Sequence, residues 1–275
     1  MSNSLLDLAK KHYENFPVGS RLIPKKYRQP IHAIYAFARV ADDIADEGSL
    51  TSEQRIAKLN EWEWFLLQSM EGKAPDSFFE ILAGIIKEFN LPVQYFRDLI
   101  TAFRKDAVTS TYATFEELLD YCRYSANPIG RLLLIIFHSS NPQNEKYSDY
   151  ICTALQLTNF WQDISVDTRR NRFYIPTTDF EQFGITTSEL FNGEKKNEFR
   201  QLMKFQVERT RTMFEQGKPL IHRVNKEFQK ELAFIWLGGT SILDKIEALQ
   251  YDTRVVRPSL SKLEMAMLAL KALRQ

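Results

Sequence analysis

Two groups of acidic residues sit at helical spacing, and each could hold a divalent cation. In Arg39-Val40-Ala41-Asp42-Asp43-Ile44-Ala45-Asp46, the residues Asp42 and Asp46 lie four apart. On a helix that spacing puts both carboxylates on one face. Tyr35 and Arg39 carry the same face upstream. Carboxylates one turn apart repel each other, so something must offset the repulsion. Magnesium is a natural partner, because it takes one or two carboxylates and completes its shell with water and phosphate oxygens. The plain alternative is a solvated, acidic helix end. Against it stand Ile34, Phe37, Ala38, Val40, Ala41, Ile44 and Ala45, which surround the pair with apolar side chains.

The second group runs from Gln156 to Asp167. Asn159, Asp163 and Asp167 recur every four residues, and Gln156 lies about one turn upstream. Set among Leu155, Leu157, Phe160 and Trp161, such a ladder is costly to bury without a ligand. A structural hydrogen-bond network is the competing explanation. Two such groups in one chain are harder to dismiss. Facing each other across a cavity, Asp42, Asp46, Asn159, Asp163 and Asp167 would hold two or three Mg2+ ions. These would bind a diphosphate and draw charge off it as it leaves.

A carbocation formed that way needs aromatic faces and little bulk water. The chain has 20 Phe, 11 Tyr and 4 Trp, most of which must be core. Tyr13, Phe16, Tyr35, Tyr121, Tyr124, Phe160, Tyr174 and Tyr251 lie near the polar motifs and are the candidates to line a site. His12, beside Tyr13, is a further candidate, although a lone His is more often structural.

Other chemistries fit poorly. His12, His32, His138 and His222 lack zinc-ligand spacing. There is no Gly-rich phosphate loop, dinucleotide fingerprint or nucleophile elbow. A net charge of +1 without a basic stripe argues against nucleic acid as a partner. Cys122 and Cys152 each sit in an apolar helical pattern, which predicts reduced core thiols and a cytoplasmic protein. The segment from Met1 to Lys11 lacks a signal-peptide core. The apolar run Leu132 to Phe137 is too short for a bilayer, which takes roughly 20 residues. A peripheral membrane contact stays open.

Helices must position these groups. Helical periodicity dominates and alternating strand patterns are nearly absent, so the chain reads as all-α. Thr51 with Gln54, Thr114 with Glu117, and Thr186 with Glu189 have capping-box spacing. The pattern predicts helices at 25–46, 52–70, 76–89, 92–105, 115–126, 129–139, 144–167, 195–215, 219–249 and 259–272. Asp167 to Ile185 is the least helical stretch. With 275 residues, 44% of them hydrophobic, and no linker or repeat, a single domain over 1–275 is the simplest expectation.

These residues resemble the squalene/phytoene synthase family over nearly the full length. The likeness rests on His12-Tyr13-Glu14-Asn15-Phe16, on Ile34 through Asp46, on Tyr121-Cys122-Arg123-Tyr124-Ser125-Ala126-Asn127-Pro128-Ile129-Gly130, and on Gln156 through Asp167 continuing to Arg172-Phe173-Tyr174-Ile175-Pro176. The resemblance implies an isoprenoid synthase fold with a central cavity, metal binding by Asp42, Asp46, Asp163 and Asp167 with Asn159 beside them, and substrate contacts from Asn15, Asn127 and Gln162 in the matched motifs. Departures narrow it. Condensing members carry Ser-x-Ser-Phe where this chain has Tyr13-Glu14-Asn15-Phe16, a small Gly-rich turn where it has Asn127-Pro128-Ile129-Gly130, and Arg where it has Gln162. Less positive charge fits one diphosphate better than two. The combination resembles the hydroxysqualene synthase branch of bacterial hopanoid biosynthesis. That likeness implies presqualene diphosphate as substrate, water as quencher and no NADPH. It implies a presqualene diphosphate synthase and a squalene-forming flavoprotein as pathway partners. The rivals are a head-to-head condensing synthase, making presqualene diphosphate, squalene or phytoene from prenyl diphosphates, and a catalytically inactive scaffold member of the same fold.

Overall fold

The computed structural model describes residues 22–192 and 194–274. His12, Tyr13, Asn15 and Phe16 lie outside the described residues. Among the described residues every regular element is a helix, and the only β-type pairing is one bridge between Thr111 and Phe173. Contacts among the described residues gather into two compact units, 22–109 with 124–145 and 224–228, and 110–123 with 146–223 and 229–274.

The first unit contains α1 (Lys25–Asp46), α2 (Ser52–Met70), α3 (Ser77–Glu88), α4 (Val93–Asp106) and α6 (Asn127–Ile136). The predicted bounds of the first two are reproduced. Thr51 and Gln54 form the full capping box at the start of α2. The core is aromatic. Trp62 stacks on Phe37 and Phe78 and meets Phe79 edge-on, while Phe96 packs edge-on against Phe37. The indole N–H of Trp62 donates to the Phe37 carbonyl at 3.3 Å, so this half-buried donor is satisfied. Arg97 and Arg104 both grip Glu63, at 2.7 and 2.6 Å. Burial alone would raise the Glu63 pKa, but the two guanidiniums outweigh it and hold it below the ordinary carboxylate value.

The second unit is built around α7 (Pro142–Gln162), with α11 (Lys196–Gly217) and α12 (Lys226–Ala248) beside it. Trp161 on α7 donates to Thr210 on α11 at 2.9 Å, and Trp236 on α12 donates to the Phe214 carbonyl at 3.0 Å. Gly239 lets α12 approach closely. A Cβ there would lie 2.5 Å from the Phe214 ring and 2.7 Å from Leu155. Shorter elements complete the unit: α5 (Phe115–Ser125, which ends in the first unit), α8 (Ile164–Asp167), α9 (Thr177–Gln182), α10 (Thr187–Asn192) and α13 (Lys262–Ala272). Cys122 and Cys152 are buried free thiols, as expected. No helix among the described residues is long and apolar enough to cross a membrane.

Three predicted helices need correction. The helix expected over 144–167 ends at Gln162. The backbone turns aside at Asp163 (φ −98°, ψ 10°), and one helical turn, Ile164–Asp167, leads into a 3-10 turn at Thr168–Arg170. Ser165, Val166, Asp167 and Thr168 are weak helix formers, and Asn171 in the left-handed region stops the run. The helix expected over 219–249 is split. Lys218–His222 is a 3-10 turn, and α12 begins only at Lys226, where the Asn225 side chain accepts from the Glu227 N–H. The helix expected over 129–139 starts earlier, with Pro128 in its first turn, and ends before His138, whose φ is +52°.

Candidate active site

The first acidic patch lies on the C-terminal turns of α1. Ala41 and Ala45 are fully buried, while Asp42, Asp43 and Asp46 beside them are half-buried. Arg39 organises the group, lying 3.5 Å from Asp42, 2.8 Å from Asp43 and 3.4 Å from Glu47. Burial opposes the guanidinium charge, yet Asp42 and Asp43 prevail and raise its pKa above the ordinary value. Tyr35 stands one turn upstream and adds to that field. The predicted set Tyr35, Arg39, Asp42 and Asp46 is therefore one continuous helix face.

The second patch is a polar stripe on a buried helix. Between Ile151 and Gln162 only Gln156 and Asn159 escape full burial. The break at Asp163 does not destroy the ladder. The Asp163 N–H still donates to the Asn159 carbonyl at 2.9 Å, and the Asp167 N–H to the Asp163 carbonyl at 2.8 Å. Those bonds keep Asn159, Asp163 and Asp167 in helical register.

Phe160 and Tyr174 stack beside this stripe, ring centroids 3.7 Å apart and planes 8° from parallel. Tyr121 and Tyr112 extend the cluster, 6.1 Å from Phe160 and 5.9 Å from Tyr174 respectively. A clasp fixes Tyr174: the Phe173 N–H donates to Ser110, and the Thr177 N–H to Tyr112. Phe160 and Tyr174 line a small cavity together with Asp167, Thr168, Arg172 and Ile164. Carboxylate, cation and aromatic faces thus meet in one place within this unit.

A remote strap completes the second patch. Asp252 and Arg254 form a two-bonded fork at 2.9 and 3.0 Å, and Arg254 also donates to the Glu194 carbonyl and lies over the Phe199 ring. Burial would raise the Asp252 pKa, but Arg254 holds it below the ordinary value. Further along, Arg257 pairs with Asp163 through Nε and Nη2, the latter at 3.2 Å. Gln162, 3% exposed, donates its amide to the Pro258 carbonyl at 2.6 Å. Its Oε1 is buried without a hydrogen-bond partner.

Other predicted residues fall elsewhere. Tyr124 lies under Lys105, and Asn127 is buried at the start of α6, both in the first unit. Tyr251 adopts a left-handed backbone after α12. Burial, then Glu247, raises its phenol pKa. Arg257 and Tyr112 were missed. Neither carries a local signal, since each joins the site by chain return. Arg172 did carry one, five residues beyond Asp167.

Among the described residues, no three His, Cys, Asp or Glu side chains converge tightly enough to form a metal site alone. The donor set still fits magnesium. Each patch offers carboxylates in register, with Asn159 as a neutral oxygen donor, and magnesium sites of this kind take their remaining oxygens from phosphate and water.

The all-helical architecture is that of the isoprenoid synthases. Squalene synthase HpnC from Alicyclobacillus acidocaldarius superposes with a TM-score of 0.83 at 36% identity, covering 90% of this chain and 95% of that one. A dehydrosqualene synthase superposes with a TM-score of 0.89 at 23% identity, covering 99% and 95%, a likeness of fold. The chain belongs to the squalene/phytoene synthase family, which it matches over residues 9–264. It is 30% identical to the 15-cis-phytoene synthase of Synechococcus elongatus, over 88% of this chain and 82% of that protein. It is 29% identical to a chloroplastic phytoene synthase of an Oncidium hybrid cultivar, over 93% of this chain but only 63% of that longer protein.

Proposed function

We propose that the protein is a hydroxysqualene synthase: it takes presqualene diphosphate, releases the diphosphate with magnesium, and quenches the rearranged carbocation with water. The observation that supports this most is Gln162. It stands where condensing relatives are expected to carry Arg, and its amide is committed to the Pro258 carbonyl. Arg257 pairs with Asp163, so its charge goes to that carboxylate and does not restore the potential that an Arg at 162 would add. One diphosphate needs less positive potential than two. The 36% identity to squalene synthase HpnC, above the 29% and 30% to the two phytoene synthases, supports a squalene-type product over phytoene.

In this reading Asp42, Asp46, Asn159, Asp163 and Asp167 hold two or three magnesium ions. Bound there, the metal would act as a Lewis acid on the leaving diphosphate. Arg39 and Arg257 keep the carboxylates aimed and balance their charge. Phe160, Tyr174, Tyr121 and Tyr112 offer π faces to the cation and exclude bulk water. The unpartnered Oε1 of Gln162 is an acceptor that can hold the quenching water, with Asn127 and Tyr13 as further candidates. Water supplies the oxygen, so no nicotinamide reductant is required. A presqualene diphosphate synthase would then act upstream and a squalene-forming flavoprotein downstream.

The curated phytoene synthase relatives favour a second reading, head-to-head condensation of two prenyl diphosphates. The test is incubation with presqualene diphosphate and, separately, with farnesyl and geranylgeranyl diphosphate, in magnesium without nicotinamide. Hydroxysqualene from the first substrate alone is the expected product. Rapid formation of presqualene diphosphate or phytoene from the simple diphosphates would establish condensation. Magnesium binding without turnover of any substrate would favour a scaffold role.

A further inference from the structure

Helix α13 is apolar on two opposite sides. Leu268 and Ala272 are buried. A helix turns by about 100° per residue, so Leu263, Met267 and Leu270 share a narrow stripe on the side away from those two. They are 71%, 47% and 60% exposed. Leu273 continues the exposed set, and Val255 and Val256 add to it just before Arg257. A surface helix ordinarily turns its charged residues outward, so an outward apolar stripe marks an interaction face.

The charges around the stripe identify the partner. Lys262 and Lys271 flank it on either side, and Arg274 follows, all three exposed. Glu264 is the only acid in α13, and Lys245 neutralises it at 2.8 Å. An apolar stripe rimmed by cations matches the headgroup and upper acyl region of an anionic bilayer. A second copy of the chain fits less well, because a two-fold pairing of this face would bring the same lysines together.

We propose that the outward face of α13, with Val255 and Val256, docks the protein on anionic membrane lipid. The surface stands on its own chemistry. The proposed reaction adds a reason for it, since a long prenyl substrate and its product both partition into bilayers.

The test is co-sedimentation of the full chain with vesicles of phosphatidylcholine alone or mixed with phosphatidylglycerol, at low and high salt, without substrate. Binding should favour the anionic vesicles by about tenfold and weaken with salt. Replacing Leu263, Met267 and Leu270 together by Ser should abolish it. Lys262→Glu with Lys271→Glu should weaken it by about tenfold while keeping the wild-type Tm. Turnover of detergent-dispersed substrate should be unchanged in both variants. Wild-type protein that ignores anionic vesicles, or a triple variant that binds as wild type does, would overturn the proposal. So would light scattering that shows a dimer dissolved by the triple substitution. Vesicle binding is read without catalysis, so its failure is separable from failure of the proposed reaction.

Discussion

Arg257 meets Asp163 across 94 residues of chain, in a pair made through both Nε and Nη2. The cation beside the first aspartate of the second motif is thus supplied from a distant strap and not from the neighbouring position. Arg257→Gln should lower kcat/KM for the diphosphate substrate by about tenfold, equivalent to ~1.4 kcal/mol. Arg257→Lys should recover only part of it, because the guanidinium fork is lost. Steady-state kinetics on both variants checks this.

Gln162→Leu keeps the side-chain volume but removes the bond to the Pro258 carbonyl. The strap should loosen at a cost of about 1 kcal/mol, leaving a buried carbonyl unsatisfied. Urea unfolding measures the stability loss. A rise in the KM of the diphosphate substrate, with Arg257 intact, measures the misplacement.

Asp42→Ala and Asp163→Ala should each abolish diphosphate release and leave the protein folded. Arg39 keeps Asp43 as a partner in the first variant, and Arg257 is exposed enough to be solvated in the second. Diphosphate-release assays, with circular dichroism as the control for folding, decide the matter. Near-normal turnover in magnesium would remove that carboxylate from the site.

Tyr174→Leu removes the ring stacked on Phe160 while keeping an apolar side chain. Loss of one π face from a cation site should slow turnover by about tenfold, on the scale of a cation–π contact. Magnesium affinity, read by calorimetry, should not move.

Glu264 carries a pH dependence. The Lys245 ammonium, the Ser261 N–H and the Ser261 hydroxyl hold its carboxyl down to about 2, from an ordinary 4.5. The folded pKa is the lower one, so the carboxylate stabilises the fold above about pH 4.5, and that contribution fades as pH falls toward about 2. Glu264→Gln should flatten this part of the stability curve. Thermal melts of both proteins from neutral to acid pH give the comparison.

Both acidic ladders and most helices were legible because helical geometry is local. A four-residue spacing fixes a shared face whatever the rest of the chain does, and so Asp42 with Asp46, and Asn159 with Asp163 and Asp167, could be grouped before any fold was known. The same local logic found the cap at Thr51. It overran at Asp163, where an apolar pattern continues through residues too weak in helix propensity to sustain the helix.

What only the tertiary structure decided is which distant residues meet. Nothing around Arg257 announces Asp163, nothing around Pro258 announces Gln162, and Tyr112 reaches Tyr174 only through the clasp between residues 110–112 and 173–177. Nor could periodicity tell which of the two apolar sides of α13 faces inward. Such pairings depend on how buried surfaces choose among competing partners across the whole chain, and a local repeat carries no record of that choice.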